Sequence, residues 1–501
     1  MAGKQDAPEV TAVSATGTAG LDQILGGGFT PHRLYLIEGD PGAGKTTLAL
    51  GYLLEGARRG EKGLYVTLSE TREEITSVAR SHGWSLDPVH IVELVASEES
   101  LTPDSQYTMY HPSETELGET TKAVLDAVER VKPQRVVIDS LSELRLLAQN
   151  PLRYRRQILA LKQFFSGRKC TVLLLDDRTS DDTDLQVRSI AHGVLTLEQL
   201  SPEYGAERRR LRVVKLRGKQ FQGGYHDFKI VKGGLDVFPR LVAADHQDAF
   251  SAEKVSSGVA PLDRLVGGGL DRGTSTLIMG PAGSGKSSVA TQYVVAASAR
   301  GECAAIFTFD ESRGTLVTRS AALGMDLAAQ VESGRVVIKQ VDPAELSPGE
   351  FVHTVRRQVE ERNCRVLVID SLNGYINAMP EERFLSIQMH ELLTYLGQKG
   401  VTTIMVVAQH GLVSGKMESP VDVSYLADSV ILTRYFELKG RVKKAISVVK
   451  KRSGAHEETI RELTVGLNGI RVGEPLEDLR GVMTGVPVYD GQPLVGTGRG
   501  E

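Results

Sequence analysis

The sequence predicts an α/β chain of two tandem P-loop domains, each a mostly parallel twisted sheet flanked by helices. Three observations predict it. The octapeptide Gly39-Asp40-Pro41-Gly42-Ala43-Gly44-Lys45-Thr46 fits the phosphate-binding pattern G-x-x-x-x-G-K-[ST]. The same pattern recurs as Gly280-Pro281-Ala282-Gly283-Ser284-Gly285-Lys286-Ser287, a shift of 241 residues. Around both copies, short apolar runs alternate with amphipathic helical patterns, which calls for parallel strands covered on both faces.

The chemistry of the octapeptide needs these residue types. Small glycines let successive backbone N–H groups turn inward toward phosphates, and the following helix offers its positive N-terminal end. Lys45 and Lys286 can reach the β- and γ-phosphates of ATP, while the hydroxyls of Thr46 and Ser287 ligate Mg²⁺. The candidate nucleotide-binding residues are therefore Gly39, Gly42, Ala43, Gly44, Lys45, Thr46 and Thr47 in the first copy. Gly280, Gly283, Ser284, Gly285, Lys286, Ser287 and Ser288 match them in the second. Leu34-Tyr35-Leu36-Ile37 reads as a buried strand before the first loop, and Leu50, Leu53, Leu54 and Ala57 keep helical spacing after it. Upstream, Gly17, Leu21-Asp22 and Gly26-Gly27-Gly28 recur at Gly258, Leu262-Asp263 and Gly267-Gly268-Gly269, again shifted by 241. The whole domain is duplicated.

In chain order, residues 1–15 read as a flexible arm and 16–246 as the first domain. Its strands are expected at 34–37, 64–68, 136–138 and 172–175, with helices after the P-loop and near 120–131 and 154–165. The polar stretch 98–119 is expected to be a surface loop, since the second copy is ten residues shorter there. Residues 208–215 and 233–238 suggest an antiparallel edge, and 239–256 read as a linker. The second domain, 247–475, repeats the plan with strands at 276–279, 304–309, 366–369, 403–407 and 429–432. Gly and Pro become frequent from residue 473, and 476–501 read as an extended tail.

Each copy also ends an apolar strand in a carboxylate. Arg135-Val136-Val137-Ile138-Asp139-Ser140 and Arg365-Val366-Leu367-Val368-Ile369-Asp370-Ser371 make Asp139 and Asp370 candidate Mg²⁺ ligands beside Thr46 and Ser287. Ser69-Glu70 and, shifted by 241, Asp310-Glu311 follow the second strand of each copy. Glu70, Asp310 and Glu311 are candidate bases for an attacking water or hydroxyl, with a turn-forming role as the alternative. Late in each copy come Lys215 with Arg217 and Lys450 with Arg452, whose spacing puts both side chains on one strand face. Such pairs can neutralise phosphate charge across a subunit boundary, as an arginine finger does; exposed strand charge is the alternative.

Hydrophobic content of 41% and charged content of 24% are ordinary for a soluble globular protein. A formal net charge of −4 leaves no general basic field, so nucleic acid is not expected as a partner. Cys170, Cys303 and Cys364 sit apart without zinc or disulfide spacing and are expected to be buried thiols of a reducing cytosol. The N-terminal residues lack the apolar run of a signal peptide, and no stretch has the length of a membrane span. A cytoplasmic chain without a membrane partner is expected.

On these motifs the chain resembles the KaiC-type, RecA-like ATPases of circadian clocks, over residues 13–490 and including the double-domain plan. Ala445-Ile446-Ser447-Val448-Val449-Lys450-Lys451-Arg452-Ser453-Gly454-Ala455-His456, followed by Ile460-Arg461-Glu462, carries the resemblance most specifically. The resemblance implies a homo-hexameric ring of stacked RecA-like domains with ATP between subunits. It further implies slow hydrolysis chiefly in the N-terminal ring, and serine/threonine autokinase and autophosphatase activity in the C-terminal ring. Clock or signalling proteins are the implied partners.

The chain departs from the family at defined positions. Where the family has a Glu-Glu pair in each half, Ser69-Glu70 and Asp310-Glu311 stand here; Asp310 can still serve as a base and Ser69 cannot. The family's phosphorylated Ser-Thr pair aligns with Ser424-Tyr425, which leaves Ser424 as the candidate phosphoacceptor. The segment after Asp490 is unlike the family's charged tail. Two other readings share the P-loop: a RecA- or DnaB-like DNA recombinase or helicase, and a nucleotide-gated scaffold with little turnover. The acidic balance, the lack of a zinc module and the tandem duplication speak against the first. Ser69 is the feature that favours the second.

Overall fold

The computed structural model describes residues 12–94, 112–178, 185–202, 204–342, 344–377, 385–409, 424–482 and 488–489. The chain divides into two units, Met1–Arg240 and Leu241–Glu501. In the first, β1 (Leu34–Gly39), β2 (Gly63–Thr67), β3 (Val89–Glu93), β4 (Arg135–Asp139), β5 (Thr171–Asp177) and β6 (Gly193–Leu200) run parallel. Then β7 (Arg208–Leu216), β8 (His226–Val231) and β9 (Gly234–Phe238) extend the sheet antiparallel. Across the sheet the order is β3-β2-β4-β5-β1-β6-β7-β8-β9. The helices are α1 (Ala19–Ile24), α2 (Lys45–Arg58), α3 (Arg72–Ser81), α4 (Pro112–Val131), α5 (Leu141–Ala148), α6 (Pro151–Ser166) and α7 (Leu185–Ile190).

Parallel strands covered on both faces need apolar side chains at consecutive positions. Val136, Val137 and Ile138 are accordingly all fully buried. Alternate side chains feed two cores: Tyr35 and Ile37 pack with Leu50 and Leu53 of α2, whereas Leu34 and Leu36 pack with Val124 of α4 and Leu161 of α6.

In the second unit, β10 (Lys254–Val255) and β11 (Leu270–Asp271) form a short ribbon. The main sheet holds β12 (Ser275–Gly280), β13 (Cys303–Thr308), β14 (Val336–Gln340), β15 (Cys364–Asp370) and β16 (Thr402–Ala408). It continues with β17 (Ser429–Leu438), β18 (Arg441–Lys451), β19 (Arg461–Gly466) and β20 (Gly469–Pro475). A last ribbon pairs β21 (Leu479–Arg480) with β22 (Val488–Tyr489). The helices are α8 (Ala260–Leu265), α9 (Lys286–Ala299), α10 (Arg313–Ala322), α11 (Leu327–Glu332), α12 (Pro348–Glu360), α13 (Leu372–Asn377) and α14 (Leu385–Gln398). The order β14-β13-β15-β16-β12-β17-β18-β19-β20 copies the first sheet. Even the ladder slip recurs, between Val194 and Leu195 against β7 and between Val430 and Ile431 against β18.

The repeated upstream residues have matching structural work. Thr16 N donates to Asp22 Oδ1 and Ser257 N to Asp263 Oδ1, both at 2.8 Å. Gly28 and Gly269 share a φ of +127°, and a Cβ would lie 2.6 Å from Ser14 O in one and 2.9 Å from Val255 O in the other. Only glycine lets the chain return this closely against its own incoming segment.

Four expectations move. Ser14 bridges Phe29 and Ala15 is buried, so the first domain begins inside the segment read as an arm. α4 starts at Pro112, so residues 112–119 are helix and not loop; a proline at the first helical position is a start signal that their polar composition obscured. Residues 95–111 of that stretch lie outside the described residues. Leu241 and Ala243 bury their side chains in a core of the second unit, so the expected boundary at 246 and the linker from 239 shift to Arg240/Leu241. The tail read as extended from 476 starts packed: Leu476 N donates to Ile460 O at 2.8 Å, and Val482 is buried against Phe436 and Ala445.

Arg135 opens the strand that ends in Asp139, and it is 1% exposed. Its Nη1 donates to Ala15 O and Tyr52 O, both at 2.7 Å; its Nε pairs with Glu61 at 2.5 Å, and the guanidinium stacks on the Tyr52 ring at 4.4 Å. It ties the N-terminal segment and α2 to the sheet edge. Arg135→Ala, which leaves a cavity, takes a donor from two buried carbonyls and removes the partner of Glu61, should lower the stability of the first unit by about 3 kcal/mol. Urea unfolding followed through signals of that unit measures it, with ATP binding at the second P-loop retained.

Candidate functional site

Each P-loop follows its central strand directly, β1 into α2 and β12 into α9, and so sits at the carboxyl edge of the parallel strands, where α/β folds place ligands. Gly44 and Gly285, at φ +96° and +102°, turn the chain into the helix through a conformation that costs glycine little. The neighbouring strands deliver their last residues to the same edge, and the P-loop, Asp139 or Asp370, and the turn acids meet there in each unit.

In the first unit Lys45 folds back on its own loop. Its Nζ donates to Gly39 O at 2.8 Å and Asp40 O at 3.0 Å, and pairs with Asp177 at 2.8 Å. Thr46 Oγ1 donates to Asp139 Oδ2 at 3.4 Å, and the Tyr65 hydroxyl donates to the same oxygen. Burial raises the pKa of Asp139 above the usual carboxylate range. Thr67 Oγ1 fixes the turn beyond β2 by donating to Glu70 O at 2.6 Å and accepting from Glu70 N at 3.0 Å. That leaves the Glu70 carboxylate to face the site, where Oε2 is buried and has no hydrogen-bond partner among the described residues. Burial first, and then the charge of Asp139, raise the pKa of Glu70. A buried, unfilled acceptor beside a second carboxylate fits a divalent cation or a polarised water.

In the second unit Lys286, Ser287, Asp310, Glu311, Arg319 and Asp370 line a cavity of about 570 Å³. Lys286 Nζ donates to Pro281 O at 2.7 Å, and burial pulls its pKa down to about 8 against the charge of Asp370. Burial raises the pKa of Asp370, opposed by a hydrogen bond from Ser287. Asp310 accepts from Ser371 Oγ at 2.5 Å. Glu311 differs from Glu70. Arg319 grips it with Nε at 3.0 Å and Nη2 at 2.8 Å, and extends Nη1 to Ser288 Oγ at 3.1 Å. Two other expected nucleotide ligands also have partners: Thr47 Oγ1 lies 3.2 Å from His82 Nε2, and Ser284 Oγ 2.7 Å from Thr433 Oγ1.

Four residues of the sites were not read from the sequence. Asp177 had a signal, since it ends an apolar run in a strand beside β1; Ala408 stands there in the second sheet. Tyr65 looked like one more buried strand residue. Arg319 and Ser371 reach the turn acids only through tertiary packing and left no local pattern.

A family model described as KaiC ATPase matches residues 14–242 and 255–477. The chain belongs to the KaiC ATPase family. It is 25% identical over 486 residues to the circadian clock protein KaiC3 of Synechocystis, covering 96% of this chain and 95% of that one. It is 25% identical over 474 residues to the circadian clock oscillator protein KaiC of Synechococcus elongatus, covering 93% and 90%. The KaiC of Thermostichus vulcanus matches at 25% over 490 residues, with 97% and 93% covered. Membership of this ATPase family implies ATP binding.

The remaining KaiC-type candidates stand away from the P-loops of their own units. β7 runs antiparallel to β6, with Lys215 opposite Val194, whereas Gly39 lies opposite Leu197. Arg217 N donates to His192 O and His192 N to Leu34 O, so Arg217 sits level with the start of β1, about 17 Å of strand from its P-loop, while Lys215, opposite Val194 and hence Leu36, is about 10 Å of strand from it. Lys215 Nζ caps Arg188 O at 2.7 Å and Ala191 O at 2.8 Å, and Arg217 Nη2 donates to Ser189 O at 2.9 Å. In the second unit Lys450 faces Val430 and donates to Ala427 O at 2.8 Å, while Arg452 donates to Tyr425 O at 3.1 Å. Ser424 opens a single 3₁₀ turn, Ser424–Leu426, and its side chain lies outside the described residues; Tyr425 beside it is exposed. No helix among the described residues is long and apolar enough to cross a membrane.

The lowered pKa of Lys286 has a testable sign. The lysine is protonated below about 8 and neutral above it, and the protonated form is the one that attracts polyphosphate. In a Lys45→Ala chain, ATP affinity at the second P-loop should therefore fall as pH rises past 8, by up to about tenfold per pH unit. Isothermal titration across pH 7–9.5 reads this.

Proposed function

We propose that this chain is a KaiC-like, ATP-hydrolysing ring protein, a hexamer with ATP at its subunit interfaces, whose C-terminal domain is also a serine autokinase and autophosphatase. The observation that carries the reading is the placement of the two K-x-R pairs. Each domain has a P-loop and the carboxylate of Asp139 or Asp370 at one end of its sheet and a cationic pair toward the other. With the lysines about 10 Å and the arginines about 17 Å of strand from the P-loop, and their head groups bonded to carbonyls at the far end, the pairs do not reach the phosphate of their own chain, but a neighbour in a ring can bring them there.

In the first domain, Lys45 would exchange Asp177 for the β- and γ-phosphates, and the loop N–H groups would hold the same oxygens. Thr46 and Asp139 would hold Mg²⁺, which when bound neutralises phosphate charge. Glu70, its carboxylate unfilled, would orient the attacking water and take its proton; its raised pKa makes it a stronger base than an exposed glutamate. Lys215 and Arg217 of the neighbour would stabilise the charge of the transferring phosphoryl group. In the second domain, Ser287 and Asp370 would hold the metal, with Lys450 and Arg452 acting from the neighbour. Ser424 would be the acceptor, and Asp310 or Glu311 would take its hydroxyl proton as the γ-phosphate transfers in line. The names of the similar KaiC proteins suggest a part in timing or signalling together with clock-type partner proteins.

Subunit mixing tests the shared interface. In a Lys286→Ala background, Arg217→Ala and Lys45→Ala chains should each lose nearly all N-terminal hydrolysis and recover a measurable fraction when mixed, because some interfaces then pair two intact halves. No recovery in stably mixed rings would mean that each site is complete within one chain. For the kinase half, incubation with Mg·ATP should place phosphate on the peptide spanning 412–428. Hydrolysis without phosphate there would leave an ATPase alone.

A further inference from the structure

Cys303 and Cys364, far apart in the sequence and expected as separate buried thiols, are direct partners in the second sheet: they begin β13 and β15 and face each other in the parallel ladder. Adjacent strands lie about 4.8 Å apart, inside the Cα span that a disulfide bridges. Immediately after the pair the ladder slips, so that Ala304 faces Val366 and Arg365 is the extra residue. A slip of this kind bends the strand locally and loosens its pleat, which gives the two side chains freedom to converge. The fold does not require thiols here, since the corresponding positions of the first unit hold Lys62 and Pro133.

The two cysteines are unequal. Cys364 is fully buried and Cys303 partly exposed. A hydrogen bond from Cys364 and the nearby Arg362 guanidinium bring the Cys303 thiol down to about 7, against partial burial. The same contact and burial hold the Cys364 thiol far above its usual range. One accessible thiolate beside one protected thiol is the arrangement of a reacting and a resolving cysteine.

We propose that Cys303 and Cys364 form a thiol–disulfide site that responds to hydroperoxides. The Cys303 thiolate attacks one oxygen of hydrogen peroxide; the O–O bond breaks, the second oxygen leaves with a proton as water, and Cys303 becomes a sulfenic acid. Cys364 sulfur then attacks Cys303 sulfur, the S–S bond forms, and the displaced hydroxyl leaves as water with the Cys364 proton. The two sulfurs supply the two electrons that reduce the peroxide, and a dithiol reductant reverses the bond. Closing it ties together β13, which leads into Asp310 and Glu311, and β15, which ends in Asp370.

Peptide mapping of the full-length protein after hydrogen peroxide, with alkylation under denaturing conditions, tests this. Titratable thiols should fall from three to one per chain, Cys170 remaining, with a Cys303–Cys364 crosslinked peptide that a dithiol removes. In Cys364→Ser the crosslink should vanish and Cys303 should be captured as sulfenic acid by dimedone. Cys303→Ser, at the less buried position, should leave Cys170 and Cys364 unoxidised at the same dose. Three alkylatable thiols after treatment of the wild type, or Cys303 oxidised to sulfinic acid with Cys364 still a thiol, would overturn the proposal.

Discussion

The rest of the structure depends on one constraint: the phosphate loop must sit where the parallel strands end, and the strand that feeds it must have parallel neighbours on both sides. β1 lies between β5 and β6, and β12 between β16 and β17. Register then decides which side chains reach the loop. Thr67 pairs with Asp139 and Gly39 with Asp177 in the first sheet, and Thr308 with Asp370 in the second. A slip of one residue in β4 would send Asp139 to the opposite face. The apolar runs that make these strands bury on both sides are therefore also what aim the carboxylates.

On this shared frame the two sites have opposite electrostatic arrangements. Among the described residues no cation grips Glu70, and Val78 stands where the second copy has Arg319. Glu311 is held bidentately. The P-loop lysines differ in the same sense: Lys45 has Asp177 as a counter-ion, while at the corresponding place beside Lys286 the strand ends in Ala408. Further out, Glu198, paired with Arg178 and Arg210, occupies the position that Arg434 takes in the second sheet. Duplication preserved backbone and loop, and divergence acted on the charges around them. A free carboxylate of raised pKa suits activation of water.

The sequence by itself determined the α/β class, the duplication, both phosphate loops, the strand-end carboxylates Asp139 and Asp370, and the antiparallel edge. These are local patterns, fixed by apolar periodicity and by the few residue types a phosphate turn tolerates. It misplaced the start of α4, where polar composition obscured the proline signal, and also what local pattern does not govern: the packing of Leu241 and Ala243, and the anchoring of residues 476–482. Only the tertiary structure decided that Asp177 meets Lys45, that Arg319 grips Glu311, that the K-x-R pairs stand at the far end of their sheets, and that Cys303 faces Cys364. Each of these joins segments distant in the chain, and strand order and register, which no single stretch encodes, bring them together.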